Sequence, residues 1–284
     1  MPELPEVETI RRDLNKELKG RKIIRLKFYD WAKMLQPSPE AIAKAIEGKK
    51  IQDFGRRAKL LLMHLSADKA GLDDHGTTIA IHLKMTGQLF IRKQTDTPDR
   101  FTRVILELDN GEELRFNDLR KFGFMKLIEN KSQLEKILSK FGPEPLTPEF
   151  TLEKFKEIVS KSSRAIKTVI MEQQKIAGVG NIYADEALWI AKIHPEHPAN
   201  KLSQKQLRDL FDSIQFVIKQ GIEDRGTSVD QYYDAKGKKG KHAQNLKVFR
   251  QNGKPCPRCK TIIKKSKVGG RGTHFCPQCQ IKKP

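Results

Sequence analysis

Four cysteines in two short pairs constrain this chain more than any other feature. They occur as Cys256-Pro-Arg-Cys259 and Cys276-Pro-Gln-Cys279, with sixteen residues between the pairs. Two such pairs allow four thiolates to surround a Zn²⁺ ion tetrahedrally. The alternatives are a dithiol redox motif, which needs one pair, and two disulfides, which are uncommon without an export signal. The spacing favours one structural zinc, because four cysteine ligands leave no position for water.

Between the two pairs the sequence predicts a β-hairpin. The segments 261–263 and 273–275 are typical of short strands, and Gly269-Gly270-Arg271-Gly272 lies between them as a turn. We therefore expect the tip of the hairpin to carry one arginine, Arg271.

Positive charge is concentrated in the same part of the chain. The 284 residues include 55 Lys plus Arg and 35 Asp plus Glu, which gives a net charge of +20. Residues 236–284 contain fifteen of the basic residues and no acidic residue. A solvated basic tail is the alternative interpretation of such a run, but the cysteines argue against it. The charge makes a nucleic acid the first partner to consider and an acidic membrane surface the second.

Apolar residues are too dispersed to predict a membrane protein. We find no stretch near the roughly 18 consecutive apolar residues of a membrane helix, and no apolar run after the first basic residues. We therefore expect a soluble cytoplasmic protein with no membrane partner.

The spacing of apolar residues predicts a mixed α+β chain of more than one domain. A leading helix with Val7, Ile10, Leu14 and Leu18 on one side ends at Gly20. Short strand patterns follow at 23–28, 59–65, 78–83, 88–91, 104–108, 113–116 and 124–128, which suggest an antiparallel sandwich or barrel. A turn-rich link at 142–148 precedes helical patterns at 152–160, 163–172, 182–191 and 203–221.

The first residues could carry chemistry. If Met1 is removed, the chain starts with Pro2, a secondary amine, and an α-amino group titrates near ~8. The positive end of the following helix lowers that value. A neutral secondary amine that attacks a sugar C1′ forms an iminium, and Glu3 could move the protons. The alternative is that Pro2 and Glu3 simply start a helix well.

Other clusters carry unusual side chains at predicted turns or strand ends. Lys59 precedes an apolar strand and could face a phosphate, although a solvated lysine is the default at such a position. Met85 and Phe122 could belong to the core, or they could lie on loops beside Arg120 and fill the space left by an extruded nucleotide. The turn that starts at Gly178 leads into a helix whose N–H groups could bind a phosphate.

Taken together, these motifs resemble the formamidopyrimidine-DNA glycosylases, in order and over essentially the whole chain. The matching blocks are residues 1–9 (MPELPEVET), 56–59 (RRAK), 82–87 (HLKMTG), 118–123 (DLRKFG), 142–146 (GPEPL), 178–186 (GVGNIYADE), 193–195 (IHP) and the four-cysteine finger. The resemblance implies a bacterial repair enzyme that excises 8-oxoguanine and formamidopyrimidines from double-stranded DNA. It also implies strand cleavage at the abasic site by β,δ-elimination.

The resemblance also implies a role for individual residues. Pro2 resembles the Schiff-base nucleophile, Glu3 the proton donor, Lys59 the residue of β-elimination and Arg271 that of δ-elimination, and Glu6 completes the catalytic set. Met85, Arg120 and Phe122 match the residues that fill the space opposite the flipped base. The other expected DNA contacts are His82, Arg103, Lys167, Asn181 and Tyr183.

The domain organisation that the resemblance implies has five parts. We expect an N-terminal catalytic β-sandwich at 2–130, a linker at 131–148 and a helix-two-turn-helix domain at 149–224. A lesion-capping loop at 225–246 and the zinc finger at 247–284 complete the chain. We expect a monomer associated with the nucleoid through DNA.

Three segments depart from the family pattern. Phe101-Thr102-Arg103 replaces the usual His-Asp-His, so that a histidine contact is lost and Arg100 or Arg103 could substitute. A usual lysine contact falls on Ser162, and the predicted capping loop is unusually basic. The preference among lesions therefore stays open.

Two other functions compete with this interpretation. The sister family that resembles endonuclease VIII acts on oxidised pyrimidines, but its opening usually has glycine where this chain has Leu4. A non-catalytic DNA-binding protein is the other alternative, and the intact Pro2 and Glu3 argue against it.

Overall fold

The computed structural model describes residues 1–66 and 76–282. Contacts between Cα atoms separate the chain into two units, Met1–Ser139 with Arg225–Lys241 and Lys140–Asp224 with His242–Pro284. The segment 225–241, which belongs to the predicted capping loop, therefore groups with the first unit. None of the helices in the described residues has the length and apolar character needed to cross a membrane.

Within residues 1–66 and 76–139, the first unit is built from two β-sheets and three α-helices. The helices are α1 (Leu4–Leu18), α2 (Pro39–Ile46) and α3 (Lys131–Leu138). The strands are β1 (Ile23–Phe28), β2 (Leu35–Gln36), β3 (Ile51–Arg57), β4 (Leu60–Leu65), β5 (Thr78–His82), β6 (Gly87–Lys93), β7 (Thr102–Leu108), β8 (Glu112–Asp118) and β9 (Phe124–Ile128). One sheet has the order β1-β7-β8-β6 and the other β2-β9-β5-β4-β3. Neighbouring strands are antiparallel except β2 and β9.

Side chains from both sheets, α1 and α2 form one hydrophobic core. It includes Leu14 of α1, Leu61 of β4 and Leu106 of β7, each at most 1% exposed. Because successive side chains of a strand point to opposite faces, alternate residues of both sheets meet in this core. The predicted β-sandwich is confirmed.

Four elements of this unit were not predicted from the sequence, and one of them, β2, has only two residues. β3 contains Asp53 and Gly55 and an irregular register near its start, so its apolar alternation is weak. α2 has only eight residues, although Ser38 caps it by accepting a hydrogen bond from the Ala41 N–H at 3.2 Å. α3 has no buried residue, so its sequence lacks the apolar stripe that the buried face of a helix requires.

The described part of the second unit contains four α-helices and a hairpin. The helices are α4 (Leu152–Ser160), α5 (Ile166–Ile170), α6 (Asn181–Ile190) and α7 (Gln204–Glu223). The predicted apolar stripe of α7 is confirmed, because Leu210, Ile214 and Val217 are buried.

The hairpin differs from its prediction in register. Its strands are β10 (Lys264–Val268) and β11 (Arg271–Phe275), and the turn consists of Gly269 and Gly270. The expected first strand at 261–263 is therefore wrong by three positions, and Arg271 begins the second strand rather than lying within the turn. Gly269 and Gly270 both have positive φ angles, which glycine adopts without strain.

Glu8 is a buried carboxylate that connects α1 to the end of β3 through ion pairs with partly exposed arginines. Its carboxylate accepts hydrogen bonds from three arginines, namely Arg11, Arg12 and Arg56. Burial alone would raise the pKa of Glu8, but these hydrogen bonds outweigh it and lower the pKa to about 2. The contact fixes Arg56 just before the turn that carries Lys59.

We predict that Glu8→Gln destabilises the protein at neutral pH. Because the pKa is lowered on folding, the stabilisation is complete above the ordinary pKa near 4.5 and is lost as the pH falls toward 2. The free energy of unfolding should fall by roughly 3 kcal/mol at pH 7, and less at pH 3, as measured by urea unfolding. Glu157→Gln is the control, because that carboxylate pairs with lysines in solvent and should contribute little. Equal effects of the two substitutions would contradict this account.

Candidate functional site

The N-terminus of α1 holds the predicted catalytic residues Pro2, Glu3 and Glu6 in a buried position. Glu3 is the residue that precedes the first turn of the helix and is 2% exposed. The carboxylate of Glu6 accepts hydrogen bonds from the Glu3 N–H at 2.8 Å and from the Thr227 N–H at 2.7 Å. Glu6 therefore attaches the segment 225–241 to the start of α1.

Lys59 lies in the turn between β3 and β4 and is 6% exposed. α1 packs against both strands. His82 pairs with Leu60 across β4 and β5, next to this lysine. Burial, with the positive charges of Lys84 and Lys59, lowers the pKa of His82 to about 3. His82 is therefore neutral at physiological pH, and its Nδ1 accepts a hydrogen bond from the Lys84 N–H at 2.9 Å.

Met85, Arg120 and Phe122 lie together on two adjacent loops of the first unit. The side chains of Met85 and Phe122 are 41% and 53% exposed, so neither belongs to the core. Arg120 Nη1 lies 3.2 Å from the Met85 sulfur, and its guanidinium lies 4.9 Å from the centre of the Phe122 ring. The structure brings these three predicted residues into one exposed cluster.

Asp118 holds both loops in place. It is fully buried, and it accepts hydrogen bonds from the Thr86 hydroxyl at 2.5 Å and from the Arg120 N–H at 3.1 Å. A third hydrogen bond comes from the Gly123 N–H at 2.7 Å. We did not select Asp118 from the sequence, although a carboxylate at the end of a predicted apolar strand is the signal that could have found it.

Arg103 is bonded within the protein, whereas the sequence predicted that it contacts DNA. It is 8% exposed, donates to the Asp118 carbonyl at 3.0 Å and pairs with Asp30 at 2.9 Å. Its neighbour Arg100 is exposed, and its guanidinium lies 4.7 Å from the Phe101 ring centre. Arg100 is therefore the arginine of this segment that is accessible to a ligand.

The second unit contains three residues that were predicted to contact DNA, and two of them are buried. Lys167 and Tyr183 are 0% exposed, and the Tyr183 ring stacks on His242 at 5.5 Å. Lys167 Nζ lies 2.6 Å from an oxygen of Asp185. Asn181 donates to the Gly272 carbonyl at 3.0 Å. Lys167 and Tyr183 thus offer no exposed side chain for such a contact.

The four cysteines form a cluster that fits one zinc ion. Their sulfur atoms all lie within 4.8 Å of one another. Tetrahedral coordination at a Zn–S distance of about 2.3 Å places sulfur atoms roughly 3.8 Å apart. The pair Cys256 and Cys279 is at 4.0 Å, and the pair Cys259 and Cys276 is at 3.4 Å. The cysteines are not joined as disulfides. They can bind one structural zinc ion, as predicted.

Three parts of the chain match domains of known protein families. Residues 1–125 match the formamidopyrimidine-DNA glycosylase N-terminal domain, and residues 141–232 match the H2TH domain of these enzymes. Residues 253–281 match the zinc finger found in FPG and IleRS. The chain belongs to the formamidopyrimidine-DNA glycosylase family.

Individual relatives of this family match the chain over its whole length. Formamidopyrimidine-DNA glycosylase of Herpetosiphon aurantiacus is 45% identical, and the match covers 99% of this chain and 100% of the relative. That of Chloroflexus aurantiacus is 42% identical over 99% of this chain and 98% of the relative. The Lactococcus lactis Fpg bound to abasic-site DNA has a TM-score of 0.91 and 38% identity, covering 99% of this chain and all of that one.

We predict that zinc removal unfolds the finger rather than the first unit. Structural zinc couples metal binding to folding, and the cysteines Cys256 and Cys276 are central to the small hydrophobic cluster of the finger. Chelation or Cys256→Ser should release one zinc per chain and speed amide hydrogen exchange across 253–281, with residues 1–125 unchanged. A metal-free protein with a protected finger would contradict the structural role of zinc.

Proposed function

We propose that this chain is a bifunctional DNA glycosylase and abasic-site lyase of base excision repair. It excises 8-oxoguanine and formamidopyrimidines from double-stranded DNA and then nicks the strand by β,δ-elimination. The observation that carries the proposal is the start of α1, where Pro2 and Glu3 lie buried at the helix N-terminus in a chain that matches a relative of this family over 99% of its length. A Lactococcus lactis relative has been crystallised with DNA containing a formamidopyrimidine.

In this mechanism Pro2 is the nucleophile after Met1 is removed. Its nitrogen lone pair attacks C1′, the bond from C1′ to the base breaks, and the base leaves with the proton that the Pro2 nitrogen loses. Ring opening then gives an iminium between Pro2 and C1′, and Glu3 donates the proton to the sugar oxygen. The helix N-terminus favours the neutral form of the Pro2 amine, because the partial positive charge of the helix end disfavours a second positive charge on the adjacent nitrogen.

Elimination requires two further groups. The iminium withdraws electrons from C1′, so that loss of a C2′ proton expels the 3′ phosphate, and Lys59 assists this β-elimination. Arg271 assists the later departure of the 5′ phosphate, the δ-elimination. Its exposed position at the start of β11 supports a contact with a phosphate.

The cluster of Met85, Arg120 and Phe122 fills the space left when the damaged nucleotide turns out of the duplex. Its exposure and its apolar and cationic composition support this role, since insertion offsets the free energy of unstacking. The partner is damaged double-stranded DNA, and the chain works as a monomer. Because the relatives are bacterial, we place this activity in the bacterial cytoplasm.

The lesion preference is set by the segment 225–241 together with the start of α1. This segment is anchored at Glu6, and Asp234 accepts hydrogen bonds from the Lys236 and Lys238 N–H groups at 3.0 and 2.8 Å. Its lysines add positive charge that attracts the phosphates of the flipped nucleotide.

We predict that borohydride traps the protein on DNA that contains an abasic site or 8-oxoguanine. Reduction of the iminium at Pro2 gives a covalent adduct that denaturing gels resolve. A variant that keeps a leader peptide before Pro2 should lose the adduct, because its amine is blocked, and should still bind DNA.

Two controls identify the nucleophile. Lys59→Met should retain the adduct, because this substitution leaves the Pro2 amine intact. An adduct that survives in the blocked variant and disappears in Lys59→Met would assign the nucleophile to Lys59 instead. DNA binding without any adduct or base release in the unblocked protein would support the non-catalytic alternative and reject the proposal.

We also predict that Phe122→Ala and Met85→Ala lower base excision without lowering stability. Both side chains are largely exposed, so truncation should not cost the roughly 2–5 kcal/mol of a core substitution. Excision from a matched duplex should fall on the order of tenfold, about 1.4 kcal/mol, and less for a mispaired lesion.

Leu119→Ala is the matched control for these two variants. Leu119 is 44% exposed on the same loop but is not part of the cluster. Melting temperature and single-turnover excision are measured for all three variants. An equal loss of excision in Leu119→Ala would argue against insertion by the cluster.

A further inference from the structure

One face of α6 carries side chains that hold the zinc-finger region. Asn181, Asp185 and Trp189 recur every four residues and therefore lie on the same side of the helix. Asn181 donates to the Gly272 carbonyl at 3.0 Å, and Asp185 accepts from the His274 N–H at 2.9 Å. The Trp189 indole N–H lies 3.4 Å from the sulfur of a zinc-ligand cysteine. This face of α6 contacts the finger from its hairpin to its metal site.

Lys167 adds a second set of contacts to the same strand. Its ammonium group donates to the Thr273 hydroxyl at 2.7 Å and to the Gly272 carbonyl at 3.2 Å. The Thr273 hydroxyl in turn donates to the Arg271 carbonyl at 3.0 Å. Lys167 and Asp185 pair at 2.6 Å, and both side chains are 0% exposed. The first four residues of β11 are therefore all bonded to this buried network.

Zinc alone does not explain how Arg271 is held. The nearest zinc ligand, Cys276, lies five residues beyond Arg271, and the turn at Gly269 and Gly270 is exposed. A two-stranded hairpin is only marginally stable by itself. The hairpin tip thus needs contacts outside the hairpin, and the network of Lys167 and Asp185 supplies them.

We propose that Lys167 and Asp185 are positioning residues for Arg271. They fix the start of β11 on α6, so that the Arg271 guanidinium is already oriented toward its phosphate when DNA binds. The inference rests on the proposed function, in which Arg271 assists δ-elimination. It gives Lys167 a role through Arg271 rather than through direct contact with DNA. A buried ion pair suits this role, because its strict geometry specifies one arrangement of the groups around it.

Thr273→Val tests the network with almost no change in volume. The substitution removes the hydroxyl between Lys167 and the Arg271 carbonyl, and Thr273→Ser keeps that hydroxyl. Thr147→Val is the matched control, because it removes an equivalent hydrogen bond to the Glu144 carbonyl, at 2.8 Å, outside the finger. Lys167→Met removes the ammonium group, and Arg271→Ala shows the full effect of losing the guanidinium.

Three quantities are measured on DNA with a single 8-oxoguanine: the rate of base excision, the ratio of δ- to β-elimination products, and zinc per chain. Thr273→Val and Lys167→Met should lower the product ratio on the order of tenfold, since a small misplacement of a catalytic group is costly. Excision and zinc content should stay within about twofold of the wild type. Thr273→Ser and Thr147→Val should keep the wild-type ratio.

The outcomes separate this inference from the proposed function. A wild-type ratio in both Thr273→Val and Lys167→Met, with a lowered ratio in Arg271→Ala, overturns the positioning role alone. Parallel loss of excision, δ-elimination and zinc would show a purely structural role and also overturn it. No base release by the wild type would reject the proposed function, and hydrogen exchange of the 271–275 amides in Lys167→Met would still test the anchor. Unchanged protection there overturns the inference.

Discussion

Backbone N–H groups that enter the interior must find acceptors, and buried carboxylates supply them at the segments that matter most in this chain. The carboxylates with this role include Glu6, Asp118, Asp185 and Asp234. Each accepts hydrogen bonds from the backbone of a loop or strand that carries or adjoins a candidate site residue. Hydrogen bonds to a charged acceptor are stronger than neutral ones, so these contacts fix the backbone where the chemistry is proposed.

The side chains that anchor these loops and strands are buried, whereas the candidate site residues on the same segments are exposed. Asp118 is fully buried, while Arg120 and Phe122 on the loop that it holds are exposed. In the finger, Lys167 is buried and Arg271 is exposed. A backbone that is already fixed loses less conformational entropy when a ligand binds. For the exposed residues, contact with a ligand would therefore cost less free energy than it would for residues on free loops.

Much of the fold and of the candidate site could be predicted from local sequence patterns. The spacing of the four cysteines predicted the metal cluster, and the apolar repeat of α7 predicted its buried face. Short elements were harder, because α2 and β2 contain too few residues to show a period. The motif order over the whole chain indicated the family, and the matching domains confirmed it.

The sequence by itself determined the two halves, the metal ligands and the family, because each depends on residue types at fixed short spacings. Only the tertiary structure decided which charged side chains are buried. Lys167 and Arg103 are basic residues in motifs that suggest contact with DNA, yet both are bonded within the protein. Their partners, such as Asp185 and Asp30, are distant in sequence. A charge can be buried only where the fold brings an opposite charge or hydrogen-bond donors to it, and this depends on the packing of whole elements rather than on a local sequence pattern.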